Sequence, residues 1–215
     1  MAENPSSPKY DDDKWKTYRL GIYKKIDVNN TTAKFWITDD FSVYTNIKNN
    51  DAVSTLIHKI YQCNANFLTL QDQVLSYGDL AFLGSNAKSL TFNRVTIVHE
   101  NGTIVTFEKV VESFPKVQVI NFFYTKTSIT FQTFTELLKI PQFLTLDYFI
   151  LSHIPEDFDI ESFYVYMKTN KLTKIDLSFS EALSEAYKNR LETIIDEIIE
   201  AKDHDYKRLV ISFPA

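Results

Sequence analysis

One short pattern is written over and over in this chain: apolar, polar, apolar, polar. Its copies include "NFLTLQDQ", "KSLTFNRV", "VINFFYTK", "FLTLDYFI", "KIDLSFSE" and "RLVISFPA". A two-residue period marks a strand with one buried face and one open face. Helical faces stand between the copies. Val53, Leu56, Ile57, Ile60 and Tyr61 follow Asp51, a capping residue type. "SYGDLAFLG" (76–84) reads as a short helix stopped by Gly84. Ile104, Phe107, Val110, Val111 and Phe114 end at Pro115, and Phe131, Phe134, Leu137 and Leu138 end at Pro141. Ile160, Phe163, Tyr164 and Met167 follow Pro155, which is tolerated at a helix start. Leu183, Tyr187, Leu191, Ile194, Ile195 and Ile198 form the longest face. A strand and one helix cannot bury each other alone, so neighbouring units must stack, and right-handed crossovers make their strands parallel.

Anchoring each copy on its first apolar position gives Leu68, Leu90, Ile120, Leu144, Ile175 and Leu209, at spacings of 22, 30, 24, 31 and 34 residues. Leucine-rich repeats run at roughly 20–29 residues. The expected fold class is therefore α/β: an irregular, leucine-rich-repeat-like solenoid with a curved parallel sheet and outer helices. A single mixed α/β sandwich is the competing architecture. The asparagine or cysteine of a standard repeat is missing, its places being taken by Gln73, Val95, Thr125, Phe149 and Ser180. Ahead of the repeats, "AKFWIT" (33–38) alternates as a strand, and "TYRLGIYKKIDV" (17–28) reads as a strand or a short amphipathic lead-in. Residues 1–14, with Pro5, Pro8 and three consecutive aspartates, are expected to form a disordered tail ahead of one repeat-like domain over 15–215.

Composition narrows the function classes. A net charge of −5 argues against nucleic acid, which calls for a basic surface. Four glycines are too few for phosphate-cradling loops. One cysteine, Cys63, allows no disulfide within the chain and favours a reducing compartment, cytoplasm or nucleus. Cys63 itself reads as a buried small hydrophobe. No apolar run approaches the ~20 residues of a membrane-spanning helix, so no membrane partner is expected.

Catalytic signatures are missing: no GxSxG, GxxxxGK[ST], HExxH or GxGxxG occurs. His58 reads as a partly buried structural histidine within its helix, and His99 as a loop residue beside the tight-turn signal "ENG". His204 between Asp203 and Asp205 carries the right donor types for zinc or manganese, but adjacent residues converge poorly on one ion. Glu156, Asp157 and Asp159 precede a helix, where carboxylates complement its dipole. No metal or cofactor is expected, and no catalytic residue is assigned. The candidate site is instead the open face of the strands: Thr69, Gln71, Thr91, Asn93, Asn121, Phe123, Thr145, Asp147, Asp176 and Ser178. An aromatic anchor among adaptable hydrogen-bonding groups suits a protein partner. Tyr148, Tyr164 and Tyr166 leave room for a second, convex surface.

The stretch "FPKVQVINFFYT…FTELLKIPQFLTLDYFIL…FDIESFYVYMKTNKLTKIDLSFSE…RLETIIDEI" resembles the C-terminal region of nematode F-box proteins, the FTH domains and their leucine-rich-repeat-like relatives, over roughly Ala33 to Phe213. The resemblance implies a substrate-recognition region of an F-box-type ubiquitin-ligase receptor and brings no catalytic residues. An F-box begins with a leucine-proline helical segment, and residues 1–32 hold none. The expectation is therefore a protein-binding module: a piece of such a receptor, a paralogue without the F-box, or a stand-alone module. A Skp-type adaptor is a partner only if an F-box is supplied or hidden. The alternatives are an antagonist or structural interaction protein, and a small metal- or ligand-dependent enzyme with its site near His153 or His204.

Overall fold

The structure is a computed structural model and describes residues 7–11, 14–19, 22–27, 30–32, 34–45, 50–124, 127–201, 206–207 and 209–214. Strands β1 (Ser7–Asp11), β2 (Lys14–Arg19) and β3 (Ile22–Ile26) pair antiparallel, with Tyr10 opposite Trp15 and Trp15 opposite Ile26. The disordered tail expected over 1–14 is thus corrected at Ser7–Asp11, which form a strand, and at Lys14, which opens the next; the rest of that tail lies outside the described residues. The reason is aromatic. Tyr10 meets Trp15 edge to face at 5.1 Å, and Trp15, buried, stacks on Phe41 at 5.9 Å. Pro5, Pro8 and the aspartates mask that pair in a reading by composition.

The chain continues through β4 (Phe35–Ile37), β5 (Asp40–Val43), α1 (Ala52–Ile57), β6 (Ile60–Cys63), β7 (Phe67–Gln71), β8 (Val74–Ser76) and α2 (Tyr77–Gly84). Then come β9 (Ser89–Asn93), β10 (Thr96–Val98), α3 (Phe107–Glu112), β11 (Val119–Phe123) and α4 (Thr133–Leu137). The last elements are β12 (Tyr148–Ile154), α5 (Ile160–Met167), β13 (Lys174–Phe179), α6 (Glu185–Glu200) and β14 (Leu209–Ser212). One ten-stranded sheet runs β14-β13-β12-β11-β9-β7-β5-β1-β2-β3, and every pair from β14 to β1 is parallel. Two small parallel sheets, β4 with β6 and β8 with β10, stand apart from it. The class is mixed α/β, with a large, mostly parallel sheet and several helices.

The apolar face of the sheet is in register. Phe41, Leu68, Leu90, Ile120, Phe149, Ile175 and Leu209 lie side by side across seven strands. Side chains of the helices and their connections cover this face: Phe114 against Phe92, Phe107 against Phe122 and Phe149, and Tyr187 against Phe179. Phe134 of α4 is a hub, its ring within 6.3 Å of those of Phe143, Phe158, Phe163 and Tyr166.

The register corrects one strand. "FLTL" at 143–146 is no strand: Phe143–Thr145 is a 3₁₀ turn, and β12 begins at Tyr148. The N–H groups of Asp147 and Tyr148 both donate to the carbonyl of Gln118, at 2.8 and 3.3 Å, and this fixes the start. Phe143 still buries its ring edge-on against Phe149. The anchor is therefore Phe149 in place of Leu144. The observed spacings from Phe41 onward are 27, 22, 30, 29, 26 and 34 residues.

Other boundaries differ for local reasons. α1 ends at Ile57, and Ile60 and Tyr61 belong to β6, which pairs with β4. Asp51 stands at the N-cap of α1 without a capping bond; the Val53 N–H donates instead to Oε1 of buried Gln73, at 2.9 Å. Gln73 also donates from Nε2 to Thr45 Oγ1 and to the Asp72 carbonyl, both at 3.0 Å, so it ties the connection between β7 and β8 to the residues after β5. Gly84 lies in the last turn of α2, not beyond it. A Cβ there would collide with the edge of the Phe114 ring, at its Cε1. Close packing, not helix termination, requires this glycine. Pro155 opens a turn, and α5 starts five residues later, capped by Asp159, which accepts from the Ser162 N–H at 3.1 Å.

Candidate binding face

Parallel pairing aligns the other face of the sheet as strictly as the core. One row reads Ser42, Thr69, Thr91, Asn121, Ile150, Asp176 and Val210. A second row holds Gln71, Asn93 and Phe123, then Ser152, Ser178 and Ser212. From β7 to β13 these side chains are half-buried, while the alternate residues between them on the same strands are buried under the helices; on β14 Leu209, Val210 and Ile211 are all half-buried and Ser212 is exposed. Eight residues expected on the open face stand on it together: Thr69, Gln71, Thr91, Asn93, Asn121, Phe123, Asp176 and Ser178. Two do not share the rows. Thr145 lies in the 3₁₀ turn, and Asp147 immediately precedes β12; both are exposed. The slip of one strand displaced them. The β12 positions that the sequence reading missed are Tyr148, Ile150 and Ser152. Their own alternation within "DYFILSH" was the available signal.

Hydrogen bonding on the face is local. Asn121 Nδ2 donates to Thr91 Oγ1 at 3.4 Å. Among the described residues, the amide oxygens of Asn93 and Asn121 are shielded from solvent and accept no hydrogen bond. Unpaired shielded acceptors are costly, so both would gain from a donor.

A rim follows the second row. Asp72, Arg94, Tyr124 and His153 come directly after Gln71, Asn93, Phe123 and Ser152, and all four are left-handed, with φ of 53°, 52°, 50° and 63°. None is glycine. Left-handed non-glycine residues are uncommon, and four at equivalent positions show that the backbone itself repeats. At His153 the left-handed residue is a bulge between the Ser152–Ser178 and Ile154–Phe179 pairs. The rim has two chemical halves. Arg94 Nε and Nη2 donate to the two carboxylate oxygens of Asp72, at 2.6 and 2.8 Å. This guanidinium holds the Asp72 carboxyl below the usual carboxylate range against the opposing effect of burial. In the other half the Tyr124 and His153 rings lie 5.2 Å apart, both exposed.

Other candidates resolve differently. His58 is exposed at the end of α1, not partly buried, because the helix stops there; its carbonyl accepts from Lys34 Nζ at 2.9 Å. His99 lies in the expected tight turn, closed by the Gly102 N–H on its carbonyl at 2.9 Å, with Gly102 at φ +80°. Cys63 is buried, its thiol donates to the Leu83 carbonyl at 3.2 Å, and burial pushes its pKa up. Asp203, His204 and Asp205 lie outside the described residues. Among the described residues no group of three or more His, Cys, Asp or Glu side chains could hold a metal ion. Nor is any helix among them long and apolar enough to cross a membrane.

Tyr164 and Tyr166 do not form a convex surface. Tyr164 is buried, and its hydroxyl donates to Glu197 Oε2 at 2.7 Å; burial pushes its pKa to about 12. Tyr166 packs on Phe134 and Phe143. Tyr148 belongs to the open face. The carboxylates before α5 serve caps: Asp159 at α5, and Glu156 as acceptor of the Ser184 N–H at 2.8 Å.

The chain matches no protein-family model, no curated protein and no solved structure. What it does must be argued from the face and its rim.

Proposed function

We propose that this chain is a protein-binding module, built as an irregular leucine-rich-repeat-like solenoid, that grips a polypeptide partner on the open sheet face and its left-handed rim. The observation that carries the reading is the alignment of half-buried hydrogen-bonding side chains across consecutive parallel strands, on the face opposite the helices. The repeat character has its own support. The carbonyls of Asp39, Asn66, Lys88 and Gln118 each accept two N–H bonds from the start of the next strand. The same device thus opens β7, β9, β11 and β12. A face of this kind offers side-chain donors and acceptors at the strand spacing of ~4.8 Å, with Phe123 and Ile150 as apolar contacts among them.

The resemblance to F-box C-terminal regions supports a narrower form of the proposal, a target-recognition region of a ubiquitin-ligase receptor or of a related paralogue. Affinity capture from native extract tests both levels. The parent chain retains a specific protein, insensitive to nuclease. The Thr91→Lys/Asn121→Lys variant loses it while keeping the parent's circular dichroism and a cooperative melt, at a melting temperature lowered by the lost Asn121–Thr91 contact and the two facing ammonium groups. Equal capture by parent and variant rejects the face. Recovery of a partner without a Skp-type adaptor or cullin keeps the module and rejects the ligase link.

A further inference from the structure

Where β12, β13 and β14 begin, the open face sinks into a half-open depression of about 700 Å³. Asp147, Tyr148, Lys174, Asp176 and Lys207 are among its lining residues. Its size is that of a site for a small ligand or a few residues of a peptide. Two carboxylates and two ammonium groups share it. Among the described residues none of the four makes an ion pair or a side-chain hydrogen bond. Opposite charges on adjoining strands usually pair, since the contact is favourable. Here Lys174 and Asp176 are two residues apart on one strand and lie on its open side, roughly 6.6–6.8 Å apart along it, a spacing at which both can serve one ligand. An extended polypeptide presents its own alternate side chains at the same spacing.

We propose that this depression selects the partner segment by charge: it takes an extended stretch of polypeptide bearing an acidic and a basic side chain two residues apart. The acid meets Lys174 and Lys207, and the base meets Asp176 and Asp147. Tyr148 supplies the aromatic wall against which such a segment lies. A segment of one sign only meets repulsion from half of the lining, so the arrangement discriminates against uniformly acidic or basic partners. This inference rests on the open face being a polypeptide-binding surface.

The test uses the full chain, isotope-labelled, and four end-blocked seven-residue peptides that differ only at two positions two residues apart: Glu/Arg, Glu/Glu, Arg/Arg and Gln/Gln. Amide shifts report both the site and the affinity. The Glu/Arg peptide moves the amides of Asp147, Lys174, Asp176, Lys207 and Val210. It binds at least fivefold more tightly than the other three and weakens as salt rises from 50 to 300 mM. Asp176→Lys reverses the preference toward Glu/Glu, with the spectrum elsewhere unchanged. Equal binding of all four peptides, no binding of Glu/Arg, or selectivity surviving Asp176→Lys overturns the inference. If Glu/Arg moves only Thr91, Asn121 and Phe123, the depression is rejected while the open face stands. Loss of the open face itself is read separately, as capture that survives Thr91→Lys/Asn121→Lys.

Discussion

Removing the guanidinium of Arg94 should cost more than removing the carboxylate it holds, and the difference should depend on pH. The Asp72 side chain is 3% exposed, and that of Arg94 is 46% exposed. In Asp72→Asn the freed guanidinium is hydrated where it stands, and Asn suits the left-handed backbone at φ 53° as well as Asp does. The loss is that of a charged hydrogen-bonded contact, about 1.5 kcal/mol. In Arg94→Met the buried carboxylate stays without its counter-charge, a loss of about 3 kcal/mol at pH 7. In the parent the Asp72 pKa is lowered, so its stabilisation is present above the unfolded value of about 3.9 and is lost as pH falls through the lower folded value. In Arg94→Met only the hydrogen bond from Gln71 still opposes burial, so the folded pKa rises from its value in the parent and the stabilisation that the carboxylate contributes at neutral pH is lost. The gap between parent and Arg94→Met should therefore be wide at pH 7 and shrink at pH 3. Urea unfolding of the parent, both single variants and the double variant at the two pH values measures this directly. The coupling at pH 7 should be about 1–2 kcal/mol. An Arg94→Met variant within ~0.5 kcal/mol of the parent, or a gap equal at both pH values, would refute the reasoning.

Two further outcomes follow from the packing. Gly84→Ala forces the buried Phe114 ring out of place and should lower stability by about 1–3 kcal/mol in urea unfolding, with Phe114→Leu restoring part of the loss; a neutral Gly84→Ala contradicts the close approach. Tyr164, with its pKa near 12, stays neutral in the fold after it would ionise in the unfolded chain, so stability should fall between about pH 10 and 12. Urea unfolding across that range should show a shallower fall in Tyr164→Phe, and an identical pH profile in the two proteins would contradict the assignment.

The sequence carried the face of each strand further than it carried the strand's limits, and "FLTLDYFI" shows why. Both halves alternate, each buries aromatic or aliphatic side chains (Phe143 and Leu146 in one, Phe149 in the other), and a two-residue period is satisfied by either. What separates them is the pair of N–H groups at Asp147 and Tyr148 on the Gln118 carbonyl, a contact between residues 29 and 30 apart that no local pattern contains. Thr145 and Asp147 slipped from the open rows through that single ambiguity, while Thr91, Asn93, Asn121 and Asp176 held because their strands had no competing neighbour. Gly84 was visible as a glycine but not as a neighbour of Phe114, thirty residues on. The rim was invisible for a different reason. A left-handed position is usually flagged by Gly or Asn, yet here it is occupied by Asp72, Arg94, Tyr124 and His153, which share no chemistry. The repeating quantity is the backbone, closed by the same carbonyl-to-two-amides device from unit to unit, and the side chains at the repeating position are thereby free to differ. A backbone conformation that recurs under side chains that do not yields an ion pair at one end of the rim, an aromatic pair at the other and, in the depression beyond, four charges that are unpaired among the described residues. On the proposed reading of the open face, uniform strands would bind uniformly along their length, whereas strands whose side chains change from one to the next would distinguish one segment of a partner from another.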